Sequence, residues 1–272
     1  MNNYSVLMSV YFKENPAYLK RSIESILAQT IPTNDFVVVC DGPLTEELDS
    51  VLNNFKSQYG DLFNIVRRES NEGLGIALQN GLLATKNEIV MRMDSDDASL
   101  VDRAERQLPY MEKYDLVGGF ISEFDGEETN IIGIRKVPEN YNEIRKFAKK
   151  RCPFNHPSVM YKKSAVIAVG NYRSFLFLED YDLWIRFIHG NHNVYNIQSV
   201  LVNMRSGMQM RARRAGKTYR KSMKNLRKEL LQLKMINVFE YIFFVFSQTI
   251  LIMLPLKFKE KVYSILFREK AK

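Results

Sequence analysis

This chain is poor in cysteine and shows neither a glycine-rich nucleotide loop nor an amino-terminal apolar run. It has two cysteines in 272 residues. Cys40 falls in an apolar strand pattern and Cys152 stands beside a proline, with no metal-ligand spacing. That argues against a disulfide framework or a cysteine metal site, and implies free thiols in a reducing compartment. The start, MNNYSVLMSVYF, has no basic segment leading into a long apolar run, so no secretory signal and a cytoplasmic setting are expected. No GxGxxG follows the first apolar segment, which weakens a dinucleotide reading. Residues 9–20 hold no Gly-rich, basic loop that could grip a triphosphate, which counts against a nucleotidyltransferase. Internal repeats and low-complexity linkers are absent too.

What is present is globular. The hydrophobic share is 46%, enough for one sizeable α/β domain and an appendage. Charge is divided unevenly. Residues 1–200 carry 22 Lys and Arg against 27 Asp and Glu, a net of −5, whereas residues 201–272 carry 17 against 4, a net of +13. A basic tail on an acidic body points to an anionic surface, membrane or nucleic acid, as the tail's partner.

Strand and helix patterns alternate over the first hundred residues. Apolar strands are expected at 5–11, 36–40, 63–67 and 88–93, with amphipathic helices at 16–29, 44–59 and 73–84. Pro16 suits a first helical turn. Such alternation implies a mostly parallel sheet covered on both faces. Helical periodicity is read again at 98–114, strands at 115–124 and 131–135, a basic helix at 141–150, a short strand at 155–161, helices at 164–169 and 178–188, and strands at 194–204. The tail reads as a basic amphipathic helix from Ala212, with Tyr219, Met223, Leu226, Leu230 and Leu233 on one face. An apolar run at 236–256 follows, interrupted by Glu240, Gln248 and Pro255, so lying on a bilayer is favoured over crossing it. A second basic amphipathic stretch at 257–272 suits a headgroup region. A terminal helical hairpin packed on the body is the alternative. The tail aromatics cluster in the apolar run and do not interleave with basic residues, which favours lipid over nucleic-acid bases.

Two acidic clusters stand out. In MRMDSDD, Asp94, Asp96 and Asp97 follow an apolar strand, at the carboxyl end where open α/β sheets bind ligands. Clustered carboxylates repel unless a hard cation sits between them; an acid-rich helix N-terminus would look the same. In LEDYDLWIR, Asp180 and Trp184 share a helix face at i,i+4, so the indole could floor a bound ring, and Asp182 is spaced to pair with Arg186. Arg92, on an otherwise apolar strand, is a partner for a site carboxylate, whereas Arg103 and Arg106 could equally be solvated.

Taken together, SVYFKENPAYLKRSIESILAQT from Ser9, FVVVCDGPLTEEL from Phe36, NEGLGIALQNGL from Asn71, VMRMDSDD from Val90, NHPSVMYKKS from Asn155 and LEDYDLWIR from Leu178 resemble a family 2 glycosyltransferase of the GT-A fold. The likeness is to the bacterial enzymes of capsular, exopolysaccharide or lipopolysaccharide assembly. It covers about the first 205 residues and implies a Rossmann-like α/β domain over 1–205; the helical membrane-associating tail over 206–272 is expected from its own pattern. It also implies an inverting transfer from a nucleotide-diphosphate sugar to a lipid-linked saccharide, on the inner face of the cell membrane and without nucleic acid. Under the resemblance, Asp96 and Asp94 ligate Mn²⁺ or Mg²⁺, with Asp94 alternatively on the ribose. Ser9, Tyr11, Glu14 and Asp41 line the nucleotide pocket, and Asn71, Gly73 and Asn80 meet sugar or diphosphate. Relatives carry two acids where this chain has Cys40 and Asp41, and an Asp-Gly-Pro turn is the plainer role for Asp41. Asp180 is the expected base that takes the acceptor proton, Glu179 the runner-up. His156 and Trp184 face the acceptor. A nucleotidyltransferase and a basic-tailed, non-catalytic adaptor are the rival functions.

Overall fold

The computed structural model describes residues 3–206 and 216–253. Four strands, β1 (Tyr4–Val10), β2 (Asp35–Cys40), β3 (Phe63–Arg67) and β4 (Ile89–Asp94), lie parallel in the order β3-β2-β1-β4. Helices α1 (Pro16–Leu27), α2 (Glu46–Tyr59) and α3 (Leu74–Ala84) connect them. Each expected element of this half is present, because parallel strands covered on both faces read as apolar runs. The chain goes from β1 outward to β3, then returns to lay β4 on the other side of β1. That reversal opens a crevice at the carboxyl ends of β1 and β4, and there Ser9 pairs in register with Asp94.

The remaining sheet is mixed. β8 (Met160–Lys162) runs antiparallel to β4 and to β6 (Leu116–Phe124), and β6 is parallel to the long β9 (Val194–Arg205). The two-residue β5 (Ala98–Ser99) pairs with β9, and β7 (Ile131–Arg135) with β6. The helix expected over 98–114 is therefore interrupted. After β5 comes the short α4 (Arg103–Gln107) and then a 3₁₀ turn at Leu108–Glu112, since Pro109 lacks the amide that a continuing helix needs. The strand expected at 155–161 likewise starts as a 3₁₀ turn, His156–Ser158, around Pro157.

Two cores flank the sheet. Leu19, Ile23 and Ile26 of α1 and Leu48 and Leu52 of α2 pack on one face with Met8 and Val38. On the other, α3, α5 (Tyr141–Ala148), α6 (Lys163–Ala168) and α7 (Glu179–His189) pack around Leu7, Val37 and Val39. The second core also takes in α8 (Lys217–Gln232). Met223, Leu226 and Leu230 are buried in it, and Arg227 donates to the carbonyls of Lys149 and Lys150. The apolar stripe of this basic helix thus faces the body, as the packed-hairpin alternative anticipated. By contrast, α9 (Val238–Met253) leaves Phe239, Ile242, Phe243 and Phe246 exposed. No helix among the described residues is long and apolar enough to cross a membrane. Ala212 and the stretch at 257–272 lie outside the described residues.

Candidate active site

Period-two alternation along β4 puts Val90, Arg92 and Asp94 on one face of the sheet. Arg92 is fully buried and ion-pairs with Asp94 at the strand end. Among the described residues, its Nε and Nη1 have no hydrogen-bond partner. Arg103, also buried, supports this strand by donating to the carbonyls of Arg92 and Val159 at 3.0 and 3.1 Å; it is not solvated. Beyond Asp94 the chain turns sharply. Ser22 Oγ donates to the Asp94 carbonyl at 2.7 Å, and Ser95 Oγ to Glu14 Oε2 at 2.6 Å, so α1 and the loop before it hold the turn.

Asp96 makes no ion pair within the described residues. Burial and the negative charges of Asp94 and Glu14 push its carboxyl up to about 7. Asp97 is buried and is raised as well, first by burial and then by Asp96. Its Oδ1 accepts the Arg205 amide at 2.8 Å. Arg205 is the residue sequence reasoning missed. Its guanidinium lies 3.6 Å from the centre of the Tyr18 ring and 4.6 Å from that of Phe124, and it donates to the carbonyls of Asp96 and Gly126 at 3.3 and 2.7 Å. Nothing local at residue 205 announces contacts with residues 18, 96 and 126.

The second cluster opens α7. A Cβ on Gly75 would lie 2.2 Å from the Arg173 carbonyl, so glycine alone lets the loop ahead of α7 settle on the first turn of α3. Glu179 is consequently close enough to β4 to feel Asp94. Burial, then Asp180, raises its carboxyl to about 7, with Asp94 adding to the rise and Arg92 opposing it. Asp180 accepts the Tyr181 amide at 2.7 Å through Oδ1, and the Cys152 thiol at 3.5 Å through Oδ2. Asp182 is fully buried and bridges Arg173 and Arg186; Arg173 continues to Glu229 on α8. The i,i+4 pair is present, inside a larger ionic network.

The structure revises several expected roles. Trp184 is fully buried, edge-on to Phe154, His156 and Phe187, so its indole is core and offers no floor for a sugar. His156 is buried beneath the crevice with Nε2 3.1 Å from the Tyr172 hydroxyl. Burial and then the Arg92 charge depress its pKa, leaving it neutral. Asp41 is buried and accepts the amides of Glu72 and Gly73 at 2.9 and 3.0 Å, one on each oxygen. Its carboxylate thus caps the loop into α3, and burial raises its pKa. Asn71 ties the same loop to the Asp41 carbonyl at 3.1 Å. Gly73, at φ +90°, caps α3, and Asn80 donates to Ile76 of its own helix. Ser9, Tyr11 and Glu14 remain at the crevice, each half-buried.

Among the described residues, no three His, Cys, Asp or Glu side chains form a metal-holding group by themselves. Asp94 and the uncompensated Asp96 fit a hard cation whose remaining positions are filled by oxygens of a bound ligand and water.

The chain belongs to glycosyl transferase family 2, whose model matches residues 5–170. It is 36% identical to the amylovoran biosynthesis glycosyltransferase AmsE of Erwinia amylovora over 96% of this chain and 97% of that one. It is 32% identical to a UDP-Gal:alpha-D-GlcNAc-diphosphoundecaprenol beta-1,3-galactosyltransferase of Escherichia coli, over 97% and 96%. Among solved structures, the mannosyltransferase PcManGT of Pyrobaculum calidifontis, in complex with GDP-Man and Mn²⁺, aligns with a TM-score of 0.64 at 16% identity, covering 85% of this chain and 64% of that one. The fold is GT-A, and the chain is a glycosyltransferase.

Proposed function

We propose that this enzyme moves a sugar from a nucleotide-diphosphate donor, a UDP-sugar, to a hydroxyl of a lipid-linked saccharide in surface polysaccharide synthesis, inverting the anomeric centre. The observation that carries the reading is the acidic turn at the carboxyl end of β4, where Asp96 lies beside Asp94 and Glu14 and makes no ion pair among the described residues. Asp94 and Asp96 would hold Mn²⁺ or Mg²⁺, which supplies positive charge to the departing diphosphate. Ser9, Tyr11 and Glu14 border the nucleotide, with Asn71 and Gly73 on the adjoining loop. Asp180 takes the proton of the acceptor hydroxyl; its carboxylate is already oriented by the Tyr181 amide and the Cys152 thiol. Glu179 is the second candidate, favoured by a carboxyl held near neutrality, where a general base works best. Relatives named for polysaccharide assembly and for a diphosphoundecaprenol-linked acceptor support the substrate class.

The enzyme works on the cytoplasmic face of the membrane. Exposed Phe239, Phe243 and Phe246 on α9 enter the interface, and lysines and arginines of the tail meet anionic headgroups, each worth about 1 kcal/mol near the surface. Transfer is tested by incubating the full chain with UDP-galactose or UDP-N-acetylglucosamine, Mn²⁺ and prenyl-diphosphate-linked saccharides, then reading the linkage by NMR. A β-linked product from an α-linked donor is expected. Retained configuration, or absence of transfer from any nucleotide sugar, refutes the reading.

A further inference from the structure

Three tyrosines stack at the end of the sheet opposite Asp94. The Tyr195 ring, at the start of β9, lies 5.1 Å from Tyr110 at 12° and 5.0 Å from Tyr114 at 21°. β6 and β9 run in parallel from here to the DSDD turn, with Tyr195 in register with Val117 and Arg205 with Phe124, so seven residue steps along β6 place the stack about 23 Å from that turn at ~3.3 Å per residue. Beside the stack is a groove of about 280 Å³, lined by Tyr114, Tyr141, Tyr195, Asn140, Asn142 and Asn193. That is near the lower limit of small-ligand pockets, about 300 Å³.

Most of the lining is held in place. The Tyr195 hydroxyl donates to Glu139 Oε1 at 2.6 Å, and that of Tyr141 donates to the Ile188 carbonyl at 3.0 Å. Asn140 Oδ1 caps α5 by accepting the Glu143 amide. The side-chain amides of Asn142 and Asn193, both on exposed residues, make no hydrogen bond among the described residues. No lining side chain is charged; a cation, the Lys113 ammonium, lies 5.2 Å from the centre of the Tyr114 ring. What the groove offers is an aromatic wall for C–H faces and open amides that both donate and accept. A pyranose has that complement: an apolar C–H face rimmed by neutral hydroxyls. A preset wall also reduces the ordering cost of binding.

We propose that this groove is a second, non-catalytic saccharide site that holds neutral sugar units of a glycan away from the crevice. The proposal does not depend on which acid is the base. It is tested on the full chain by saturation-transfer NMR with glucose, galactose, N-acetylglucosamine, N-acetylgalactosamine, their β1,3-linked disaccharides, and uridine as a stacking control. Wild type, Asp180→Asn and the double variant Asn142→Ala/Asn193→Ala are compared. Both amides are free of the core, so an unchanged Tm checks that the double variant is folded. Saccharide binding at millimolar concentration is expected in wild type and Asp180→Asn, weakened at least tenfold in the double variant, with transfer to a monosaccharide-bearing acceptor unaltered. Binding by uridine but by no sugar, equal sugar binding in the double variant, or loss of binding in Asp180→Asn would overturn it.

Discussion

Asp96 and Asp182 both lie in acid-rich turns of one protein, yet among the described residues Asp96 has no cation in ion-pair contact and Asp182 has two arginines. The difference separates a site from a scaffold. Around Asp182 the charge is neutralised within the chain, by Arg186 on the same helix and by Arg173, which also reaches Glu229 of α8. Around Asp96, burial and the acids Asp94 and Glu14 outweigh Arg92 and push its carboxyl up to about 7, while Arg205 reaches its main-chain carbonyl and not its carboxylate. A fold keeps such a group only where something from outside completes it. Glu179 and Asp180 stand between these extremes, on the helix that Asp182 anchors.

The comparison can be strained in order of effect. Asp180→Asn should lower turnover about 1,000-fold, within the range for a lost general base, while donor binding persists. If Glu179→Gln shows the larger loss, the base is Glu179. Asp182→Ala should cost about 3 kcal/mol, because it leaves the buried Arg186 uncompensated. Urea unfolding measures this, and a loss below about 1 kcal/mol would mean that the network is not the scaffold described. Arg205→Ala removes the donors to Asp96 and Gly126 and the stacking on Tyr18, worth about 1–2 kcal/mol in all. It should raise the Mn²⁺ concentration needed for half-maximal activity more than it lowers Tm, and Arg205→Lys should recover only part of the loss.

The smallest effect is one of pH. His156 is held neutral, with a folded pKa below the unfolded one. The unfolded state therefore binds more protons below pH ~6.5, and stability is present above that value and lost as pH falls beneath it. The stability difference between wild type and His156→Gln should shrink by about 1 kcal/mol on acidification to about pH 5.5. Contributions from Asp96 and Glu179 are common to both proteins and cancel. A constant difference would place a charged imidazole at the crevice.

The parallel half was legible because β1 to β4 are buried on both faces and their helices carry local signals, such as Pro16 and the Thr45 cap of α2. Asp94 and Asp180 stand out in the sequence as members of short ordered blocks, which the fold sets at the end of β4 and the start of α7. Arg205 was not, since its partners are distant in sequence and no periodicity encodes them. Trp184 misled because i,i+4 spacing gives a shared face without saying whether that face meets solvent or core. Helix α8 misled similarly: a basic helix with an apolar stripe has the same pattern whether the stripe lies on lipid or on Ile144 and Trp184.

The division of labour between the two clusters is tested most directly by the rise in Tm that UDP produces with and without Mn²⁺, measured in wild type, Asp96→Asn and Asp180→Asn, since a ligand selective for the folded state stabilises it. A Mn²⁺-dependent rise in wild type and Asp180→Asn, abolished in Asp96→Asn, is the predicted result. An undiminished rise in Asp96→Asn, or its loss in Asp180→Asn, would contradict the assignment of the leaving group to one cluster and the incoming hydroxyl to the other.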